Sequence, residues 1–448
     1  MKLETAPTEL KNTIPFSQKE YLILAVPLII SGISTPILGA VDTAVVGRIP
    51  DPAVIGGVAI GAVIFNTMYW LLGFLRVSTS GFTAQAEGAN NQSEILLSLF
   101  RPMIIAMIFG MFFVIFQQPI LQIALAVIGG SEAVSSFAAT YFSIRIWGAP
   151  FILLSYVIIG WLIGMGKVRL ALATQILMNV LNIVLDFIFV LGFGMGVSGV
   201  AYATLISEVT SVLFGLWLII RLNNLTLADF NLNKLLDSEP LLKMMKVNRD
   251  LFLRTVCLLI MTGIFTAKGA SMGEITLAAN AILLQIHYIM AYMLSGFANA
   301  SSIIVGRSIG AKNQSLYKRA YKLSAQWGFI SAIFLSFIMI GFGESIVGLF
   351  TTIIEVRVVT VEALFWMLVY PIVGFWGLQL EGIFSGATEA GPVRDSIVLA
   401  LIMFLFALWF FVPLYQNHGV WIAFVLFTFF RSFFLSLYIP KLTRLKFT

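Results

Sequence analysis

About twelve apolar stretches divide this chain, and they restrict its fold more than any other feature. All of them reach the ~20 residues that a helix needs to cross the hydrocarbon core of a bilayer. Backbone polar groups in lipid must be satisfied internally, which favours α-helices. We therefore predict an all-α membrane protein with twelve transmembrane helices. Their expected bounds are 17–47, 53–85, 95–124, 134–165, 168–193, 197–222, 250–272, 276–309, 317–342, 357–386, 394–415 and 419–440.

Composition excludes several classes of protein. Only 11% of the residues are charged, whereas a soluble domain carries about 25%. The single cysteine, Cys257, excludes an internal disulfide, and two histidines are too few for an imidazole-rich metal site. Phosphate-binding-loop, zinc-hydrolase and serine-elbow motifs are absent from the sequence. We expect no enzymatic activity, no cofactor and no structural metal.

The basic residues predict the orientation in the membrane. With a cytoplasmic N-terminus, about twenty of the 27 Lys and Arg residues lie on the cytoplasmic side, and the outer loops keep Arg48, Lys268 and Arg357. Cytoplasmic loops carry such an excess of basic residues in membrane proteins. We therefore expect both termini in the cytoplasm, and we explain the net charge of +6 by orientation rather than by nucleic-acid binding. Residues 1–15 are polar, so no cleaved leader is expected.

The two halves of the chain are related in sequence. G-A-N-N-Q-S at 88–93 recurs as G-A-K-N-Q-S at 310–315, an offset of 222 residues. Six spans per repeat is an even number, so both halves insert the same way up, related by an axis along the membrane normal. We predict two pseudo-symmetric six-helix lobes around a central cavity. The expected divisions are an N-terminal lobe at 1–222, a cytoplasmic linker at 223–249 and a C-terminal lobe at 250–448.

Two carboxylates lie inside predicted spans. Asp42 and Asp186 each lie about six residues from the outer end of a span, and Thr204 lies about seven residues from the outer start of the next one. A carboxylate at mid-helix costs at least ~2.5–3.5 kcal/mol on insertion. Asn182 is one turn from Asp186 on the same helix face, and Asn179 is one turn further. We therefore expect Asp42, Asp186 and Thr204 at similar depth in the outer half of the membrane, with Asn182 and Asn179 on the helix face of Asp186.

All five side chains offer oxygen atoms. Oxygen ligands suit hard cations such as Na⁺, and two neighbouring carboxylates favour the capture of a shared proton. We interpret the set as a cation- or proton-coupling site, and the alternative for each group is a local helix–helix hydrogen bond. Pro36, close to Asp42, predicts a bend in the first helix.

Further charged residues lie in or near spans. Glu381 in the tenth span is a possible additional coupling residue, and Glu208 is a possible partner for Arg145. The remaining arginines are expected to form ion pairs or to extend towards the membrane interface. They are Arg76, Arg254 and Arg431.

Several segments together resemble one known family. They are P-I-L-G-A-V-D-T-A-V-V-G from Pro36, G-F-T-A-Q-A-E-G-A-N-N from Gly81, N-x-x-N-x-x-x-D from Asn179 to Asp186, and G-V-x-G-V-A-Y-A-T ending at Thr204. The chain resembles the multidrug and toxic compound extrusion (MATE) family over essentially its whole length. It looks most like the bacterial DNA-damage-inducible (DinF-like) branch.

The resemblance implies an antiporter that expels small amphipathic, mostly cationic organic compounds in exchange for H⁺ or Na⁺. It implies an N-lobe cation site at Asp42, Asn182, Asp186 and Thr204, with H⁺ as the expected coupling ion. Other branches use acids in the seventh and tenth helices. The seventh span of this chain has no central acid and Glu381 is only a rough match, so we do not expect a coupling site in the C-terminal lobe. We expect a monomer in the lipid bilayer of the bacterial inner membrane.

Three alternatives remain open at this point. The same oxygen atoms can serve Na⁺ coupling. A flippase for lipid-linked precursors would need an arginine-rich cavity for pyrophosphate, so the partners of Arg76, Arg145 and Arg254 discriminate between the two functions. A passive channel is disfavoured by the two-lobe repeat, which suits two lobes that rock against each other.

Overall fold

The computed structural model describes residues 16–49, 51–223, 232–235 and 237–447, and within them the chain is helical without strands. The helices are α1 (Gln18–Val46), α2 (Pro52–Leu71), α3 (Phe74–Gly88), α4 (Gln92–Ile115), α5 (Gln117–Ile128), α6 (Glu132–Arg145), α7 (Ala149–Gly164), α8 (Val168–Asp186), α9 (Gly196–Asn223), α10 (Leu232–Leu235), α11 (Ser238–Ala270), α12 (Glu274–Gly310), α13 (Gln314–Phe350), α14 (Ile354–Glu362), α15 (Phe365–Gly386), α16 (Ala390–Ser436) and α17 (Ile439–Phe447).

The predicted all-α, twelve-span fold is confirmed. Ten helical segments of the described residues are long and apolar enough to cross a membrane. Helix α1, with 29 residues, adds another span. Helix α16 contains two predicted spans. They are separated by a sharp bend of the backbone at Gln416, whose φ is 47°. Gly419 then packs against the backbone of Phe411, so the two arms of α16 lie side by side.

Several predicted spans consist of more than one helix. The second span is broken at Leu72 and Gly73 between α2 and α3, and the fourth passes through a 3₁₀ turn at Ile146–Gly148 before α7. Pro150 stands in the first turn of α7, where its missing N–H leaves no helical hydrogen bond unmade. Pro36 lies within α1, but the side chains of residues 35–37 are outside the described ones, so the bend at Pro36 stays a prediction.

The two lobes contact each other closely at one end of the bundle. We call it the basic end, and it contains the loops at 88–92, 164–168, 310–314 and 386–390. Here α3 crosses α12 with glycines at the contact. A Cβ on Gly88 would overlap the backbone of Arg307, and a Cβ on Gly310 would overlap the carbonyl oxygen of Gln85. Only glycine permits backbones to approach so closely.

Polar contacts fasten this crossing, and we call them the inter-lobe latch. Gln85 Nε2 donates to Gly386 O at 2.9 Å and to Thr388 Oγ1 at 3.2 Å. Arg307 Nη2 donates to Met165 O at 3.0 Å, and Arg307 Nε lies 2.7 Å from Glu87 Oε2. Gln85 and Arg307 are 222 residues apart and therefore occupy equivalent positions in the repeat. Each lobe thus extends one side chain to a loop of the other.

Removing the charged half of the latch should loosen the basic end. Arg307→Met in a Cys257→Ser background deletes an ion pair whose side chains are 28% and 31% exposed. Partly exposed pairs contribute up to about 1 kcal/mol, so we expect the basic end to open up to about fivefold more often.

Maleimide labelling of Ser302→Cys in nanodiscs measures this opening, since Ser302 is 5% exposed and lines a small cavity between the lobes with Arg76 and Asn299. Arg169→Met, which removes an exposed arginine from the same end, is the control. Equal labelling rates in the Arg307 and Arg169 variants would show that the latch does not hold the end closed.

Candidate functional site

The structure brings Asp42 of α1 and Asp186 of α8 together. Their carboxyl groups lie within hydrogen-bonding reach of each other. Asp186 is fully buried, and Asp42 is partly buried. Among the described residues, no donor reaches Asp42 Oδ1 or either carboxyl oxygen of Asp186. Two carboxylates offer only acceptors, so a hydrogen bond between them requires a proton on one of them.

Asn182 and Thr204 form a second pair beside this one. Asn182 Nδ2 donates to Thr204 Oγ1 at 3.3 Å, and the threonine hydroxyl donates to Val200 O at 3.1 Å. Asn182 Oδ1 has no partner in the described part of the chain, although the residue is only 2% exposed. Since Asn182 lies one turn from Asp186 on α8, its free oxygen adds to the unpartnered acceptors near the two carboxyl groups.

Asn179 joins a different set of contacts. Its Nδ2 donates to Ser34 Oγ at 3.2 Å, and one turn further along α8 Gln175 Nε2 donates to Ser31 O at 3.2 Å. The Ser31 hydroxyl in turn donates to Gln175. We call these contacts between α1 and α8 the polar seam. Sequence reasoning missed Gln175, Ser31 and Ser34, although the four-residue spacing of Gln175 and Asn179 was an available signal.

A buried ion pair lies in the same lobe. Arg145 Nη2 is 3.8 Å from Glu208 Oε1, and Arg145 Nη1 donates to Tyr141 Oη at 2.8 Å. The guanidinium also lies 4.7 Å from the ring centroid of Phe65, close enough for a cation–π contact. Arg145 is close enough to Asp42 and Asp186 for electrostatic attraction to both carboxyl groups. Within this group of described side chains, three carboxyl groups face one guanidinium.

Glu381 has a different environment. It pairs with Arg254 of α11 and with Arg431 of α16, and its side chain is 13% exposed. Two guanidinium groups hold both of its carboxyl oxygens, so neither oxygen is left free for a coupling ion. The possibility that Glu381 takes part in coupling is therefore not favoured by its contacts.

The N-lobe group can hold a proton or a small cation. Four of its oxygen atoms are buried and have no donor among the described residues, and the group lies on three helices, α1, α8 and α9. Among the described residues, no cluster of three or more His, Cys, Asp or Glu side chains could bind a metal ion. A Na⁺ ion here would need the neutral oxygens of Asn182 and Thr204 beside the two carboxylates.

Several known proteins are similar to this chain in sequence. The MatE family model matches residues 27–188 and 251–414, one segment in each half. The chain is 35% identical to "DNA damage-inducible protein F" of Escherichia coli (strain K12) over 420 residues, which cover 94% of this chain and 91% of that protein. It is 25% identical to "Probable multidrug resistance protein NorM" of Bacillus anthracis, covering 89% of this chain and 88% of that one.

A solved structure has the same fold. It is described as the "outward-facing conformation of a multidrug resistance MATE family transporter of the MOP superfamily". The TM-score is 0.86 at 23% identity, covering 96% of this chain and 97% of that chain. The likeness to it concerns the fold alone.

Proposed function

This chain belongs to the MatE family, and we propose that it is a proton-coupled antiporter that exports amphipathic, mostly cationic organic compounds by alternating access. The observation that carries the proposal is the adjacent pair of Asp42, partly buried, and Asp186, fully buried, in which Asp42 Oδ1 and both carboxyl oxygens of Asp186 have no donor among the described residues. Two carboxyl groups this close can share one proton in a hydrogen bond between them. The relatives named as multidrug resistance proteins support efflux as the task.

Protonation would act through α1. A proton entering from outside neutralises Asp42, which can then donate a hydrogen bond to Asp186. The polar seam continues this contact along the same two helices through Ser34 and Asn179. A change in the contact between Asp42 and Asp186 therefore changes how α1 lies on α8, and bending near Pro36 would release the substrate outward.

We propose that the basic end faces the cytoplasm of a bacterial inner membrane and that both termini lie on that side. Helix α1 starts at this end, and α17 is held there by the ion pair of Lys446 with Glu389 at 2.6 Å. The excess of Lys and Arg in these loops supports the orientation. We propose a monomer, because each lobe finds its partner lobe within the chain.

The contacts of the arginines disfavour a flippase for lipid-linked precursors. Arg145 pairs with Glu208, and Arg254 pairs with Glu381. Arg76 lines the small cavity between the lobes and has no acid partner among the described residues. One such arginine falls short of the arginine-rich cavity that pyrophosphate recognition would need.

Proteoliposomes test the proposal directly. We expect export of a fluorescent cationic dye under a pH gradient alone, and no export under a sodium gradient alone at equal pH. Addition of a protonophore, with the sodium gradient left intact, should stop transport. Export driven by sodium alone would reassign the coupling ion to Na⁺ at the same oxygens. Export without either gradient would overturn the antiporter.

A further inference from the structure

The C-terminal lobe buries two arginines against one glutamate. Arg254 reaches one carboxyl oxygen of Glu381, and Arg431 reaches the other. Arg431 is 8% exposed as a residue, and the side chain of Arg254 is 21% exposed. The three side chains come from α11, α15 and α16 and leave one positive charge in excess. An excess charge in an apolar bundle is costly unless a counter-charge joins it.

Neither neighbouring acid supplies that counter-charge. Asp250, one turn before Arg254 on α11, is already bound by Arg249 at 2.8 Å and by Arg394 at 2.7 Å. Asp395 is also bound by Arg394, at 2.6 Å. The charge of Arg254 and Arg431 is therefore balanced only by Glu381 in the part of the chain that the structure describes.

Both guanidinium groups keep unused donors. Each carries five N–H bonds, and the contacts with Glu381 use Nη2 of each arginine. Nε of Arg254 and Nε of Arg431 have no acceptor among the described residues, although both atoms are buried. A buried N–H without an acceptor destabilises the folded chain, so an additional acceptor would stabilise the cluster.

A histidine with one unpartnered ring nitrogen lies beside them. His287 of α12 is close enough to Arg431 for their charges to interact, and its Nδ1 is buried without a partner in the described residues. Its ring centroid lies 4.2 Å from that of Tyr370 and 4.9 Å from that of Phe424. The unused polar atoms therefore adjoin aromatic rings, which suits a ligand with a charged group on a flat apolar body.

We propose that Arg254 and Arg431 bind an oxyanion, the carboxylate of a zwitterionic amphiphile, in the C-terminal lobe. Guanidinium groups match carboxylate and phosphate with paired N–H donors. The carboxyl pair of the N-terminal lobe is of opposite sign, so a zwitterion could present its cationic end there. This assignment of a substrate class rests on the proposed function. A lipid phosphate has the same oxyanion chemistry and is distinguished below.

Rhodamine B and its ethyl ester are matched probes, since they differ in one carboxylate. Their binding to the full chain in phosphatidylcholine nanodiscs can be followed by fluorescence anisotropy. In Arg431→Gln we expect at least about tenfold weaker binding of rhodamine B and a change within about twofold for the ester. Arg254→Gln should behave alike. Arg357→Gln, which removes an exposed arginine of α14, should leave both affinities unchanged.

Glu381→Gln separates an oxyanion site from a purely structural ion cluster. It frees both guanidinium groups, so binding of rhodamine B should tighten severalfold. Two results would overturn the site. One is weaker binding of both probes in the Glu381 variant and in both arginine variants. The other is unchanged binding of both probes in all three variants. If phosphatidylglycerol in the nanodisc competes with rhodamine B in the wild type but not in Arg431→Gln, the bound oxyanion is a lipid headgroup. Failure of the wild-type chain to export the ester under a pH gradient would instead count against the proposed function.

Discussion

Asp42→Asn should reduce drug export by at least about tenfold, measured as cation efflux from proteoliposomes under a pH gradient. Asparagine has nearly the shape of aspartate, but it cannot gain or lose a proton in this range. Its amide can also donate to Asp186 permanently, which fixes the contact that a proton would make only transiently. In enzymes, a proton-transferring side chain typically contributes about 10²–10⁴ in rate, and by that scale a tenfold loss of export is a low threshold.

The control is Glu355→Gln, which removes an exposed acid of α14 with the same loss of charge and little change of shape. Its export should equal that of the wild type at matched protein content. Dye binding to the Asp42 variant in nanodiscs checks that the chain is folded. Full export by folded Asp42→Asn would refute the coupling role of this residue.

Gly310→Val should prevent the lobes from closing at the basic end. The added Cβ would overlap Gln85 O and would lie 2.8 Å from Ala89 N, and both atoms belong to the backbone. Backbone cannot withdraw as a flexible side chain can, so α3 and α12 must separate. We expect export to fall by at least about fivefold, because overpacking of about 1–3 kcal/mol acts directly on the closed state.

Gly341→Val on α13 is the matched control, since nothing lies within 4 Å of its added Cβ. Both variants place the same β-branched residue in a helix, so any cost to helix formation is shared. Labelling of Ser302→Cys should accelerate in the Gly310 variant alone. Unchanged export and labelling in both variants would show that the close crossing is not required for transport.

The sequence predicted the twelve spans and the meeting of Asp42 with Asp186 for a simple reason. Helix length and depth follow from residue counts, and the two acids lie equally far from the ends of their spans. Buried acids are so costly in lipid that their positions carry information without any structure. The spacing of Asn182 and Asp186 also fixed their common helix face before their partners were known.

The other contacts depend on how helices are rotated against one another. Ser31 and Ser34 look like ordinary small polar residues of a membrane helix until α8 places Gln175 and Asn179 opposite them. Glu381 was considered as a coupling acid because the sequence does not reveal that α11 and α16 each direct an arginine at it. Helix breaks such as the one at Gly73 change the rotation of the turns that follow, and the sequence signals them only weakly.

The inter-lobe latch has a consequence for how the two halves recognise each other. In a dimer with two-fold symmetry the same residue makes both reciprocal contacts. Here an amide makes one of them and a guanidinium the other, from equivalent positions of the repeat. Half-chains produced separately would therefore differ in their pairing surfaces, and an N-terminal half would find in the C-terminal half a better partner than a second copy of itself.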